Sequence, residues 1–225
     1  MAYEFTSDAF SGYIPLWQRL FMDLKPCEKL LEIGSYEGRS AVWLIENVLK
    51  PQGGGQLYCI DPWSPEWEEA PGLWNMVEQR FDRNVAFATQ GSVKTIVHKR
   101  KGKSIFQLCK LVAEGHSESF DCVYIDGNHQ AAEVLSDIVI AFELVRKGGL
   151  IICDDYLWKV SDNPLLGPKV AIDAFSNIFF DKLSIKGESI QQALFIKEYL
   201  RSEKEWSRVV MYYVNKVAPW PDTSP

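Results

Sequence analysis

Three carboxylates close two apolar runs of this chain, and a histidine follows the first of them. Val123-Tyr124-Ile125 ends at Asp126, with His129 three residues further on, and Leu150-Ile151-Ile152-Cys153 ends at Asp154 and Asp155. Like charges gathered in one crevice repel unless a cation or a proton intervenes. If the two runs are neighbouring strands, Asp126, Asp154 and Asp155 therefore read as ligands of a divalent cation. Carboxylate oxygens suit Mg²⁺, with Mn²⁺ or Ca²⁺ able to substitute. Such a cation lowers the pKa of a hydroxyl bound to it, and His129 is placed to take the proton near neutral pH. The bland rivals are local: Asp126-Gly127-Asn128 is turn chemistry, Asp154-Asp155 can cap a following segment, and His129 can bond backbone or bind the metal itself.

A second group lies upstream. The run Lys29-Leu30-Leu31-Glu32-Ile33 gives way to Gly34-Ser35-Tyr36-Glu37-Gly38-Arg39-Ser40. Glycine permits a sharp turn and a close ligand approach, and a helix start offers free amides. The GxGxxG that a pyrophosphate requires is missing, since residue 36 is tyrosine. Asp61 closes the next apolar run, where an acid commonly accepts hydrogen bonds from a ribose diol. Trp63 follows, with a ring able to pack on a purine, although Asp61-Pro62 is also a turn signal. Together Glu32, Gly34, Gly38 and Asp61 favour a nucleoside ligand without a pyrophosphate.

Alternating elements must carry these groups. Strands are expected at 29–33, 56–60, 95–98, 121–125 and 150–153, and helical periodicity at 41–48, 76–88, 104–113 and 131–145. That alternation is the mark of βαβ units in a largely parallel α/β sheet, in which ligands sit beyond the carboxyl ends of the strands. Residues 62–75, rich in Pro and Trp, read as a loop and a lid over the site. Residues 170–180 read as helix, 182–186 and 192–197 as a hairpin around Gly187, and 198–217 as helix. Trp63, Trp67, Trp74, Tyr156 and Trp158 are candidate substrate contacts. No internal repeat or linker divides the chain, so one domain is expected over 1–225, with a core at 28–197 flanked by extensions at 1–27 and 198–225.

Four motifs, LLEIGSYEGRS, YCIDPW, DCVYIDGNHQAAEVLSDI and RKGGLIICDDY, resemble those of class I S-adenosylmethionine-dependent methyltransferases. Within that class the likeness is to metal-dependent O-methyltransferases of the macrocin/TylF type and their cephalosporin-hydroxylase-like relatives. The resemblance implies a Rossmann-like, mostly parallel seven-stranded sheet with helices on both faces and a terminal antiparallel hairpin. It places the methionine part of S-adenosylmethionine by Glu32, Gly34, Ser35, Gly38 and Ser40, the ribose on Asp61, and the adenine by Trp63 and Ser104. It makes Asp126, Asp154 and Asp155 the metal ligands, with Asp126 also near the donor, and His129 the general base. The implied activity is divalent-metal-assisted O-methylation of a small molecule, such as a sugar or glycoside hydroxyl. A non-catalytic or chemically diverged cofactor-binding relative is the alternative.

Composition excludes some classes. The formal charge of −6 over 225 residues argues against general nucleic-acid binding, which needs a phosphate-neutralising face. The basic run His98-Lys99-Arg100-Lys101-Gly102-Lys103 reads as a solvated strand end. The five cysteines are scattered, with no CxxC pair, as in a reduced intracellular protein. No basic-then-apolar leader opens the chain and no run approaches the ~20 apolar residues of a membrane span, so a cytoplasmic protein is expected. The aromatic arm Tyr3, Phe5, Phe10, Tyr13 and Trp17 is expected to bury itself against a partner subunit of a homo-oligomer.

Overall fold

The computed structural model describes residues 2–24, 26–64, 71–158, 160–179, 183–184 and 210–214. Five strands, β1 (Lys29–Ile33), β2 (Gly55–Asp61), β3 (Thr95–Lys101), β4 (Phe120–Ile125) and β5 (Val145–Cys153), form a parallel sheet in the order β3-β2-β1-β4-β5. Helix α1 (Ile14–Asp23) precedes β1. The crossovers are α2 (Arg39–Leu44, prolonged through Gln52), α3 (Pro71–Ala88), α4 (Ser104–Ala113) and α5 (Ala131–Leu144), and α6 (Lys169–Ile178) follows β5.

Near-continuous apolar runs such as Leu-Leu-Glu-Ile suit strands covered on both faces. Alternate residues feed two cores. Leu30, Leu57 and Cys59 point to one, with α1, α2 and α3. Leu31, Ile33, Tyr58 and Ile60 point to the other, with α4, α5 and α6.

Several boundaries differ from those expected. Helix α3 begins at Pro71, inside the presumed lid, because proline is well suited to a first helical position where no amide partner is needed. Residues 65–70, with Trp67, lie outside the described residues. Val210–Val214, expected to be helical, pairs antiparallel with β5, and Leu183–Ser184 pairs with it in turn. A Val-Met-Tyr-Tyr-Val run fits a pleated surface better than a helix. The hairpin arm expected at 192–197 also lies outside the described residues. Phe10 and Trp17 are buried within this chain, with Trp17 edge-on to Tyr124 at 4.8 Å, so they are not available to a partner. The basic run on β3 is paired: Lys99 with Glu78 and Asp82, Lys101 with Glu78, and Arg100 with Glu114.

Candidate active site

The chain leaves β1 for β2 and β3 on one side, then returns to place β4 on the other. Strand order thus reverses between β1 and β4, the position at which α/β sheets open a crevice. Ladder bonds run one residue beyond each strand: Gly34 N–H donates to the Ile60 carbonyl (2.8 Å), Asp126 N–H to Ile33 (2.8 Å) and Asp154 N–H to Ile125 (2.9 Å). These bonds fix Gly34, Asp126 and Asp154 side by side at the mouth. At Gly34, φ is +87°, and a Cβ would lie 1.9 Å from the Asp126 carbonyl oxygen. The glycine is thus demanded by backbone meeting backbone.

On the β1 side, Glu32 is fully buried and accepts hydrogen bonds from the Ser35 hydroxyl (2.7 Å) and the Ser40 hydroxyl. Burial pushes its carboxyl up to about 7, against the lowering effect of those two serines. Asp61 Oδ2 accepts the amides of Ser35 (3.0 Å) and Tyr36 (2.9 Å), and Oδ1 accepts that of Trp63 (2.6 Å). Burial nonetheless raises the Asp61 carboxyl. Both acids therefore shape the turn after β1, and a ligand must share Asp61 with three amides. Gly38, at φ +82°, precedes the first residue of α2. The small pocket over this turn is lined by Gly34, Ser35, Tyr36, Glu37, Arg39, Ser40 and Asp126 on one side and by Phe5, Ser7, Ala9 and Phe10 on the other.

Trp63 and Ser104, the residues expected near adenine, both have partners within the protein. The Trp63 indole is 1% exposed, 4.6 Å from the Phe81 ring, and donates its N–H to the Tyr36 carbonyl (2.8 Å), so its body belongs to the core. Ser104 opens α4 and hydrogen-bonds the buried Asp137 of α5. Burial pushes Asp137 up to about 7, and its Oδ1 has no hydrogen-bond partner among the described residues.

On the β4–β5 side the acids converge, in a different combination from the one expected. Carboxylate oxygens of Asp126 and Asp155 and a ring nitrogen of His129 all lie within 4.8 Å of one another. His129 Nε2 is 2.6 Å from Asp155 Oδ2, and its ring stacks on Trp158 at 4.3 Å. Asp155 reaches this group from a left-handed backbone conformation (φ +57°). Asp154 lies beside this group: its Oδ2 accepts from the Tyr124 hydroxyl (2.5 Å) and its Oδ1 from the Asp155 amide (2.7 Å).

The Tyr124 hydroxyl also lies 2.9 Å from Asp126 Oδ2, so one hydroxyl bridges two carboxyl groups. Burial, then the charges of Asp154 and Asp155, drive the Asp126 carboxyl far upward. Burial first, then Asp155, raises Asp154 to about 6. This is an acidic crevice in need of positive charge.

Tyr124 and Glu37 were not singled out from sequence. Period two along β4 places Tyr124 and Asp126 on one face, a signal available in the run itself. Glu37 gives none, because its partners Thr6 and Arg80 are remote in sequence.

Residues 31–156 match the family model described as a methyltransferase domain. An uncharacterized protein of Acanthamoeba polyphaga mimivirus is 30% identical over 127 residues, which is 56% of this chain and 50% of that one. The chain thus spans half the length of that curated relative. A putative O-methyltransferase from Klebsiella pneumoniae superposes with a TM-score of 0.58 at 17% identity, over 93% of this chain and 83% of the other. An O-methyltransferase from Bacillus cereus, solved in complex with S-adenosylhomocysteine (SAH), gives 0.59 at 21%, over 80% and 74%. The O-methyltransferase TomG from Streptomyces achromogenes, solved with S-adenosylmethionine (SAM), gives 0.54 at 22%, over 74% and 68%. At these identities the structural likeness speaks for a Rossmann-like fold, while the family match extends over more than half of the sequence. The chain belongs to the methyltransferase domain family.

Proposed function

We propose that this protein is a SAM-dependent O-methyltransferase whose acceptor hydroxyl is held by a divalent cation. One observation carries the reading: Asp126 belongs both to the pocket over the 34–38 turn and to the group it forms with His129 and Asp155. A donor seated in the first and an oxygen held at the second would meet at that side chain. Bound SAM supplies a methyl on a positively charged sulfur, and the acidic surroundings of Asp126 favour a cation. The turn after β1, braced by Glu32 and Asp61, offers Gly34 and the start of α2 to the donor's methionine end. A cation at the carboxylates would acidify the acceptor hydroxyl. Holding oxygen and methyl in line accounts for much of the remaining rate.

The donor set bears on the metal. Two carboxylates with an imidazole admit softer ions than an all-oxygen site does, which places Mn²⁺ ahead of Mg²⁺. The His129–Asp155 contact supports a second reading, in which the carboxylate orients the imidazole through Nε2 and the free Nδ1 takes the hydroxyl proton. The methionine-side roles of Gly38 and Ser40, the small sugar or glycoside acceptor, the macrocin/TylF subtype, a sheet of seven strands with a terminal hairpin, and a cytoplasmic homo-oligomer extend the same reading. The family match and the acidic balance of the chain support the small-molecule part.

Calorimetry with SAH and a mass-spectrometric screen of hydroxylated acceptors test it together. The expected result is cofactor binding and a product one methylene heavier, lost on chelation and restored by Mn²⁺. Transfer that ignores chelation selects the His129 base instead. No SAH binding refutes the reading.

A further inference from the structure

The 34–38 turn is not the only wall of the pocket beside Asp126. Phe5, Ser7, Ala9 and Phe10 form the facing wall, and they come from the segment ahead of α1, remote from the turn in sequence. What holds that segment in place is drawn from the donor-binding motif and from α3. Glu37 is 2% exposed and spends its carboxylate on the Thr6 amide (2.6 Å, Oε2), the Thr6 hydroxyl (2.8 Å, Oε1) and Arg80 (2.9 Å, Oε1). Arg39 donates from Nε and Nη2 to the Ser7 carbonyl (3.1 and 2.9 Å), lies over the Phe5 ring at 4.3 Å, and faces Asp8 at 3.5 Å. Asn84 on α3 accepts from the Glu4 amide and donates to the Glu4 and Glu37 carbonyls, each at 2.9 Å.

We propose that residues 5–10 are a strap forming the outer wall of the donor pocket, buckled onto the 34–38 turn by Glu37 and Arg39, and that this strap opens to admit the donor and closes on it. The buckles are side-chain contacts at a partly exposed rim, so opening them leaves the sheet intact. Segments of that kind open at low free energy compared with core strands. Phe10, packed on Trp17 at 4.7 Å, is the fixed end about which the strap turns. Glu37 and Arg39 are thus positioning residues: they act on the donor through the strap.

The proposal rests on the SAM reading above, and the test separates the two. Hydrogen–deuterium exchange over residues 2–10 is followed in the wild-type chain with and without SAH, together with SAH affinity and dissociation rate in Thr6→Val and Glu37→Gln. The expected result is slower exchange of the strap when SAH is bound. Thr6→Val, which loses one buckle bond, should release SAH about fivefold faster, and Glu37→Gln about tenfold faster. Thermal unfolding of ligand-free Thr6→Val should match the wild type, since Thr6 lies on the exposed side. A merely structural strap would shift unfolding and leave the dissociation rate alone. If SAH binds but neither strap exchange nor either variant's dissociation rate changes, the strap is overturned and the SAM reading stands. If the wild type does not bind SAH, both fall.

Discussion

Replacing Gly34 by alanine tests the central geometric claim, that the ends of β1 and β4 touch through backbone. Two costs add. An L-residue in the left-handed region costs ~1–2 kcal/mol, and Gly34 sits at φ +87°. The new methyl would lie 1.9 Å from the Asp126 carbonyl oxygen and 2.9 Å from the Gly127 Cα, both backbone atoms that cannot swing aside. Relieving such overpacking by shifting a strand costs ~1–3 kcal/mol. The total is about 2–5 kcal/mol, or a fall in Tm of about 4–20 °C for a chain of this length. Gly115→Ala is the control: its φ is +84°, and among the described residues nothing stands within 4 Å of a Cβ there. It should lose about 1 kcal/mol from backbone strain alone. Paired calorimetric melts of the two variants give the comparison. Equal losses would refute the backbone contact and return Gly34 to being an ordinary turn glycine.

Three further outcomes follow from the site. Asp155→Asn should cut metal-dependent transfer at least about 100-fold while leaving SAH affinity unchanged, read by product formation and titration; undiminished transfer would remove Asp155 from the cation site. Trp63→Phe should cost about 2 kcal/mol of stability through the lost indole bond to Tyr36 and the smaller ring, with SAH affinity held within about threefold. A large affinity loss with unchanged stability would restore Trp63 as the adenine platform. Asp137, raised to about 7 by burial, makes the native state bind more protons than the unfolded chain between the two pKa values. Its stabilising effect is then full below the unfolded pKa and fades as pH rises through about 7. Asp137→Asn should therefore shrink the loss of stability between about pH 4 and pH 7 in denaturant titrations; an unaltered pH dependence would show that Asp137 is ionised in the fold.

Local chemistry made much of this protein legible. The apolar runs ending in Gly34, Asp61, Asp126 and Asp154 announced parallel strands and their carboxyl ends, because burial on both faces leaves a continuous apolar signature. Those same runs put the site beyond the strands' carboxyl ends, while the strand order that sets the switch beside β1 came from the structure. Trp63 shows the limit: an aromatic after a strand reads alike whether it meets a ligand or Phe81. Asp154 and Asp155 show it more sharply, as adjacent acids in sequence that take different partners, Asp154 the Tyr124 hydroxyl and Asp155, from a left-handed backbone, His129.

Sequence alone thus determined the strands, the acids at their ends and the methyltransferase domain family, all of which depend on residues near one another in the chain. Only the tertiary structure decided which acids share a site and which are spent on Tyr124 or on turn amides. It alone brought the segment around Thr6 onto Glu37. The Tyr124–Asp154 and Thr6–Glu37 contacts join residues 30 and 31 positions apart, at 2.5 Å and 2.6 Å, and no local pattern encodes a distance of that kind.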